Sequence, residues 1–372
     1  MRAIIFPGKY IQGSGALAEA GRYIAMYGKK PVLVWDERTK AAVKDSLMQS
    51  LDKAGLEIIE AMFGGECTHK EAERITEISK AKGGNVIVGI GGGKAIDTAK
   101  AVAAYQSLPT IVIPTISSND SPPSACTVWY DDAGENVGGD LWVRSPDVVL
   151  VDSRVIVNAP VRSLVAGIGD GLATWMEANA SYVARKGTCA GGLHTMAALT
   201  LAKLCFDTLI EYGIEAVRSV ENKLITPAVE KVIEANSLLS GIGWESAGVA
   251  SAHAIANSFG YFHETHERMH GEKVAFGLLT QLCLEEDISV SEIYRIADFM
   301  IEIGLPVTLE EFNLKDVSDE RLLEYTKMIT AEGSPHGNVH NHNFKVTAVS
   351  LRDAMRAADS LGRRRKVACG KA

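Results

Sequence analysis

The sequence predicts an α/β domain with a mostly parallel sheet, followed by a domain made of helices. In the first half, short apolar runs rich in β-branched residues alternate with helix-like stretches, which is typical of a parallel sheet covered by helices on both faces. Beyond about Asn158 the strand signal fades and periodic stretches rich in Ala, Leu and Glu follow. Pro160 breaks or begins a helix there. The predicted domains are therefore residues 1–158 and 159–372.

Composition and charge exclude several classes of function. The chain has 372 residues, of which 47% are hydrophobic and 23% charged, as in ordinary globular proteins. A formal net charge of −8 argues against nucleic acid as a partner, because phosphate binding needs a positive surface. No apolar run reaches the roughly 20 residues that span a bilayer. The six cysteines lack C-x-x-C spacing, which indicates a reducing compartment. We expect a soluble, cytoplasmic protein.

The strands and helices of the first half are predicted from local pattern. A helix-like stretch ends at Gly28, a second covers residues 40–53, and a third opens at Thr68 with acidic residues in its first turn. Buried strands are predicted at residues 31–35, 56–62, 85–89, 110–113 and 148–151.

The segment GIGGGKAIDTAK, residues 89–100, leads from a predicted strand through a glycine loop into a helix. Glycines let the backbone approach a ligand closely, and the start of a helix attracts pyrophosphate. The alternative is a tight strand-to-helix turn, although such a turn hardly needs three glycines in a row. Lys94 stands where the G-x-G-x-x-G fingerprint requires its third glycine. The loop therefore predicts a dinucleotide site that differs from the standard Rossmann arrangement.

Two further acids of this half are candidate ligand-binding residues. Asp36 directly follows the strand at 31–35, where a carboxylate can bind an adenosine ribose, or simply cap the next helix. It precedes the glycines by more than 50 residues, whereas the standard pattern places the acid after them. Asp120 is the only charge in the segment PTISSNDSPPSACTVWY, residues 114–130, which reads as a loop at the carboxyl end of a strand. A surface turn explains Asp120 equally well.

Helices are predicted across the second half at residues 164–184, 193–212, 227–239, 273–284, 290–303 and 350–361. Asp170 lies between two glycines near the start of the first of these. It reads as an N-cap by default, and also as a carboxylate available to a cation. For five scattered histidines we expect surface or capping roles, namely His69, His194, His336, His340 and His342.

Residues 253–273, HAIANSFGYFHETHERMHGEK, contain four of the nine histidines. The pentamer HERMH has the H-E-x-x-H pattern, in which His266 and His270 on one helix bind zinc and Glu267 acts as the base of a metalloprotease. In a second interpretation, His253 and His270 share a metal with an acid from elsewhere in the chain. The peptidase interpretation leaves the glycine loop and the α/β half unexplained.

Ordered motifs along nearly the whole chain resemble the glycerol dehydrogenases within the metal-dependent, iron-activated type of alcohol dehydrogenases. These motifs are FPGKYIQG, GGECTH, VGIGGGKAIDTAKA, VIPTISSND, APVRSLVAGIGDGLATWMEA, IEANSLLSGIGWES, AHAIANSF, HGEKVAFG, GLPVTL and AADSLG. The resemblance implies a dehydroquinate synthase-like architecture with an N-terminal α/β dinucleotide domain and a helical C-terminal domain. It also suggests a homo-oligomer.

The resemblance further implies zinc, or alternatively iron, held by Asp170, His253 and His270. His266 would lie near the metal without binding it, and Asp120 matches the substrate-binding aspartate of the family. The implied NAD site consists of Asp36, Gly93, Lys94, Ala95, Ile96, Asp97, Thr115, Ser118, Ser124, Cys126 and Tyr130.

The activity implied by this resemblance is NAD-dependent oxidation of a vicinal diol, glycerol to dihydroxyacetone first, by hydride transfer from a metal-bound alkoxide. Ala256 replaces a usual family histidine, Trp244 replaces phenylalanine, and residues 117–126 differ from the family pattern. These changes leave another small diol or hydroxy compound as an alternative substrate. A non-redox enzyme like dehydroquinate synthase is the other alternative of this fold. A zinc peptidase using His266, Glu267 and His270 is the remote one.

Overall fold

A parallel sheet forms the centre of the N-terminal part in the computed structural model, which describes residues 1–371. Its strands are β1 Tyr10–Gly13, β2 Pro31–Trp35, β3 Ile59–Met62, β4 Val86–Gly91, β5 Thr110–Pro114 and β8 Val148–Asp152. They run in the order β1-β8-β5-β4-β2-β3 with parallel pairing throughout. A separate antiparallel hairpin joins β6 Cys126–Tyr130 and β7 Asn136–Leu141.

Helices occupy most of the remaining chain. They are α1 Ala20–Ile24, α2 Glu37–Lys53, α3 His69–Lys82, α4 Gly93–Gln106, α5 Ser153–Asn158, α6 Val161–Val183, α7 Met196–Glu221, α8 Pro227–Glu234, α9 Ser240–Ala247, α10 Ser251–Ser258, α11 His270–Leu282, α12 Val290–Ile303, α13 Asp319–Thr330 and α14 Ala348–Ala368. A π-helical turn, Ala235–Leu239, separates α8 from α9. Short 3-10 turns are Ala16–Glu19, Phe259–Tyr261, His263–Thr265, Leu309–Phe312 and Gly337–His340. Within residues 1–371, no helix combines the length and the apolar character needed to cross a membrane.

Helices cover both faces of the sheet, and because successive side chains of a strand point to opposite faces, both sets of side chains are buried. In β2, Leu33 and Trp35 pack into one apolar cluster with residues of α2, such as Leu47. Val32 and Val34 pack into the other cluster with Ile75 of α3 and residues of α4. All five predicted strands are present, and the predicted fold class is confirmed: an α/β domain with a parallel sheet, followed by helices.

The chain forms two compact units. One comprises residues 5–164 together with 219–242 and contains the sheet. The other comprises residues 1–4, 165–218 and 243 onward and is helical. The predicted boundary at 158/159 lies six residues before the division at 164/165, but residues 1–4 belong to the helical unit and residues 219–242 to the unit that contains the sheet.

Several local predictions differ from the structure. The segment 114–130 is a loop only as far as Ala125, because β6 begins at Cys126. The sequence gives little sign of this hairpin, since β7 contains two glycines and strands disfavour glycine. His194 and His342 are buried rather than on the surface. The Nε2 atom of His342 lies 2.7 Å from Ser251 Oγ.

Aromatic side chains form a core in the helical unit, packed around α10 and α11. Phe259, Phe262, Phe276, Phe312 and Tyr325 are buried, with neighbouring ring centroids 4.7 to 6.1 Å apart. Such tilted and edge-on contacts favour a single packing of the rings. These ring contacts therefore support the packing of α10 and α11.

Candidate functional site

Three side chains from different helices meet in the helical unit. Asp170 belongs to α6, His253 to α10, and His270 is the first residue of α11. The Oδ1 atom of Asp170 lies 3.4 Å from Nε2 of His253 and 3.4 Å from Nε2 of His270. The potential ligand atoms all lie within 4.8 Å of one another. Asp170 and His253 are buried, while His270 is partly exposed.

Glycines allow these helices to pack with their backbones nearly in contact. A Cβ atom on Gly271 would lie 1.8 Å from the carbonyl oxygen of Ala166, and one on Gly169 would lie 2.5 Å from that of Gly271. A Cβ atom on Gly277 would lie 2.4 Å from the carbonyl oxygen of Ala252. No larger residue fits at these distances. The first two contacts bring α11 against α6 beside Asp170, and the third brings α10 against α11 beside His253.

Asp170 is not the helix N-cap that the sequence suggested. It lies well inside α6, where a helix that begins at Val161 has already completed two turns. The flanking glycines do not mark a helix start; Gly169 instead provides space for α11. The other interpretation from the sequence, a well-held carboxylate facing a cation site, agrees with this position.

Burial and charge act against each other at this cluster. Burial of Asp170 disfavours its ionised form, but His270 and His253 outweigh that effect and lower the pKa of Asp170. Burial likewise disfavours a charged His253, but the carboxylates of Glu177 and Asp170 outweigh it and raise the pKa of His253 well above its usual value. Two imidazole nitrogens and one carboxylate oxygen are the donor set of a catalytic zinc site with an open position. The residues present therefore fit a zinc ion.

Glu177, which holds His253 in place, was not among the site residues predicted from the sequence. Glu177 lies seven residues after Asp170 on the same face of α6 and is fully buried. Its Oε2 atom bonds Nδ1 of His253, while Oε1 accepts backbone N–H bonds from Ala250 and His253, both 2.9 Å long. The only sequence signal was an acid spaced two helical turns from Asp170.

The H-E-x-x-H pentamer does not form one helix. His266 and Glu267 lie in a turn that follows the 3-10 turn His263–Thr265, and Met269 is extended. His270 then begins α11. His266 and His270 are therefore not one turn apart on a common helix face, and the structure contradicts the remote alternative of a protease helix.

The predicted dinucleotide residues belong to the unit that contains the sheet. The strand order reverses between β2 and β4, because β3 lies beyond β2 while β5 and β8 lie beyond β4. Ligands of α/β sheets bind at such a reversal, beyond the carboxyl ends of the strands. Asp36 follows β2 and the glycine loop follows β4. This topology explains why the acid precedes the glycines in the sequence.

The glycine loop ends at the start of α4, whose first residue is Gly93. A Cβ atom on Gly93 would lie 2.5 Å from the side-chain Nδ2 atom of Asn119, so a larger residue there would require the Asn119 side chain to move. The following Ala95 and Ile96 are buried in α4. Asp36 caps α2 by accepting a 2.6 Å bond from the backbone N–H of Thr39. The expected alternative role of Asp36 as an N-cap is thus present in the structure.

Lys94 and Tyr130 contact each other beside this helix start. The Lys94 Nζ atom lies 4.4 Å from the centre of the Tyr130 ring and 2.7 Å from a carboxylate oxygen of Glu66. Burial, together with nearby acids, raises the pKa of Tyr130. Tyr130 is therefore a neutral phenol across the physiological pH range.

Asp97 directs its carboxylate into the protein. Its Oδ1 atom lies 2.8 Å from Lys100 Nζ and accepts a 2.6 Å bond from Ser121 Oγ, while Oδ2 accepts from the N–H of Val128. These contacts tie the loop after β5 to α4. Lys100 was not among the site residues predicted from the sequence.

The other predicted residues of the loop after β5 are mostly buried. Thr115 donates its N–H to the carbonyl of Gly91, and Ser124 Oγ donates to the carbonyl of Ser121. Ser118 is buried, and Cys126 begins β6. A Cβ atom on Gly241 would lie 2.3 Å from the carbonyl oxygen of Asp120, so α9 supports the backbone of this loop closely.

Known proteins resemble this chain over nearly its full length. Residues 7–153 match the family model described as iron-containing alcohol dehydrogenase. Glycerol dehydrogenase of Citrobacter freundii is 43% identical over 362 residues, covering 97% of this chain and 98% of that protein. Glycolaldehyde reductase of Halobacterium salinarum is 39% identical, covering 96% and 97%.

Solved structures show the same architecture. The crystal structure of glycerol dehydrogenase from Schizosaccharomyces pombe has a TM-score of 0.95 at 35% identity, covering 100% of this chain and 94% of that one. A 1,3-propanediol oxidoreductase shares the fold, with a TM-score of 0.77 at 19% identity.

Proposed function

Because this chain belongs to the iron-containing alcohol dehydrogenase family, we propose that it oxidises a vicinal diol, glycerol to dihydroxyacetone first, with NAD and zinc. The observation that carries the proposal is the meeting of Asp170, His253 and His270 in one cluster of metal-binding atoms. In the balanced reaction, the diol loses a hydride to NAD and a proton to solvent, which gives a hydroxyketone, NADH and H⁺.

The metal site has a defined part in this reaction. When bound, zinc supplies Lewis-acid chemistry that eases removal of an alcohol proton near neutral pH. Asp170 would hold such an ion with its negative charge, and His253 and His270, whose Nε2 atoms face Asp170, would hold it with neutral nitrogen donors. The partial exposure of His270, with its side chain 31% accessible, leaves a side from which a small substrate can enter.

Residues of the unit that contains the sheet bind the other reactants in this proposal. The N–H groups at the start of α4 and the ammonium of Lys94 bind the pyrophosphate of NAD, and Asp36 binds the adenosine ribose. Asp120 orients the hydroxyl that does not react. Asp97 acts through the loop after β5, which it fixes to α4.

A different small hydroxy compound is the main alternative substrate. Trp244 lies with its ring centroid 6.4 Å from that of His253, at a position where the family usually has phenylalanine. A larger ring beside a metal ligand changes the space available to the substrate. The similarity to a protein named glycolaldehyde reductase supports the same alternative. A dehydroquinate synthase-like reaction would need a cluster of basic residues for its anionic substrate.

A panel of diols and hydroxyaldehydes, assayed for NADH formation or consumption, tests the proposal. We expect activity that disappears after chelation and returns with zinc or, for comparison, iron. The absence of NADH from every diol with metal-loaded protein would refute diol oxidation. Activity that survives complete metal removal would refute the metal's role.

Single substitutions separate the metal ligands from the histidine motif. Replacing His253 by Ala, or Asp170 by Asn, should abolish zinc binding and activity, because each removes a ligand atom of the cluster. Glu267→Gln should leave turnover largely intact, since Glu267 lies in the turn before α11. Complete loss of activity in Glu267→Gln would restore the catalytic-base interpretation of that residue.

We further propose that the enzyme acts in the cytoplasm as a homo-oligomer.

A further inference from the structure

Glu177 is a buried acid that the proposed reaction does not use directly. It extends from α6 to the start of α10, and only 1% of its side chain is exposed. Three N–H donors converge on its two oxygens: the backbone N–H groups of Ala250 and His253, and Nδ1 of His253. A buried carboxylate is costly unless its oxygens are satisfied, and here all the donors come from one short segment.

The backbone contacts fix the first turn of α10. Ala250, the residue before the helix, has no side-chain oxygen with which to cap it. The first N–H groups of a helix have no partner within the helix, and they carry partial positive charge. Glu177 supplies the missing acceptor from α6, and Gln281 of α11 supplies another to the N–H of Ala252 at 3.1 Å. Side chains of the two neighbouring helices therefore cap α10.

The contact with the imidazole determines which nitrogen of His253 is available to a metal. A neutral imidazole carries one proton, so an Nδ1–H that donates to Glu177 leaves a lone pair on Nε2. That Nε2 atom faces Asp170 Oδ1 at 3.4 Å. Partners of this kind orient metal-binding histidines and make them better donors.

We infer that Glu177 is a positioning residue that holds the His253 ring with its Nε2 lone pair facing the metal while anchoring the start of α10. This inference rests on the proposed zinc site. It predicts that zinc affinity depends on the carboxylate of Glu177 and not only on the stability of α10.

Glutamine at position 177 has nearly the same shape as glutamate, but it cannot accept hydrogen bonds at both terminal atoms. Its side chain has one acceptor oxygen and one NH₂ group. If the NH₂ group faces the imidazole, Nδ1 must accept and the proton moves to Nε2, where it blocks the metal. If the NH₂ group faces the backbone, it meets the N–H groups of Ala250 and His253. Either arrangement weakens zinc binding.

The test measures zinc affinity of the metal-free full-length protein by competition with a chromogenic chelator. Glu177→Gln should bind zinc about 10- to 100-fold more weakly than wild type. The matched control is Gln281→Leu, which removes the other side-chain cap of α10 without touching His253. It should lower the melting temperature of the metal-free protein yet bind zinc within about threefold of wild type.

The outcomes distinguish this inference from the proposed function. If wild type itself binds no zinc, the proposed function fails. If wild type binds zinc and Glu177→Gln matches it within about threefold, the positioning role fails. Equal loss of affinity in Gln281→Leu would assign the effect to the helix start and would also overturn the role of the carboxylate. The d–d absorption bands of bound cobalt provide a second readout, and we expect Glu177→Gln to shift them.

Discussion

Lys100 is a buried cation in α4 that sets the conformation of the loop after β5. Its side chain is only 3% exposed, and its Nζ atom contacts Asp97 as well as the carbonyl oxygen of Ser121. Removing one partner of a buried ion pair leaves the other charge without compensation, which costs more than the pair itself contributes. The main effect of the Lys100–Asp97 pair on stability is therefore that each residue compensates the buried charge of the other.

Replacement of Lys100 by Met should destabilise the protein by about 3–5 kcal/mol, because Asp97 remains buried without its counter-ion. The KM for NAD should rise as the loop loosens. Lys203→Met is the matched control, since Lys203 pairs with Asp207 on the exposed surface of α7. It should change stability by no more than about 1 kcal/mol. Denaturant unfolding of both variants provides the measurement; similar losses in the two would contradict the role assigned to Lys100.

At the scale of helices, close packing of α10 against α11 places His253 beside His270. Gly277 lies in the middle of this contact, where a Cβ atom would meet backbone rather than a flexible side chain. Ala252, whose carbonyl oxygen is the group approached, directly precedes the proposed ligand His253. Any added volume at Gly277 must therefore move the start of α10.

Gly277→Ala should destabilise the protein by about 1–3 kcal/mol through overpacking, and it should weaken zinc binding as His253 shifts. Gly337→Ala is the control, because a Cβ atom there meets nothing within 4 Å. Thermal unfolding and chelator competition measure the two effects. Wild-type zinc affinity in Gly277→Ala would show that the distance between these helices does not govern the site.

At the scale of the whole molecule, a metal held by Asp170, His253 and His270 would connect helices distant in sequence. Asp170 and His253 are 83 residues apart (253 − 170), and they belong to α6 and α10. A ligand that binds only the folded protein stabilises it in proportion to the logarithm of its concentration over its dissociation constant.

Removal of the metal should lower the melting temperature, and zinc at 100 times its dissociation constant should restore about 2.7 kcal/mol. Hydrogen exchange should increase mainly in α6, α10 and α11, which carry the three proposed ligands. Helices of the unit that contains the sheet, such as α2 and α3, should change little. Uniform exchange in both units, or no change in melting temperature, would contradict a metal site at this cluster.

The sequence alone determined the fold class and most of its elements. Periodicity is a local property, so apolar runs such as residues 31–35 and 148–151 identified strands directly. Helix α12 was predicted with its observed bounds, and Thr68 caps α3 as expected. The family motifs also singled out Asp170, His253 and His270, although their roles remain predictions.

Only the tertiary structure decided how these elements serve a site. The bond between Glu177 and His253 joins residues 76 apart, and no local pattern carries such a pairing. The position of Asp170 within α6 was misjudged because glycine has two uses, helix termination and close helix packing, which look identical in a sequence. The extended backbone of Met269 likewise interrupts the pentamer HERMH, whose H-E-x-x-H pattern suggested a continuous helix. Sequence pattern reports local preference, whereas a site is built from long-range contacts that can override it.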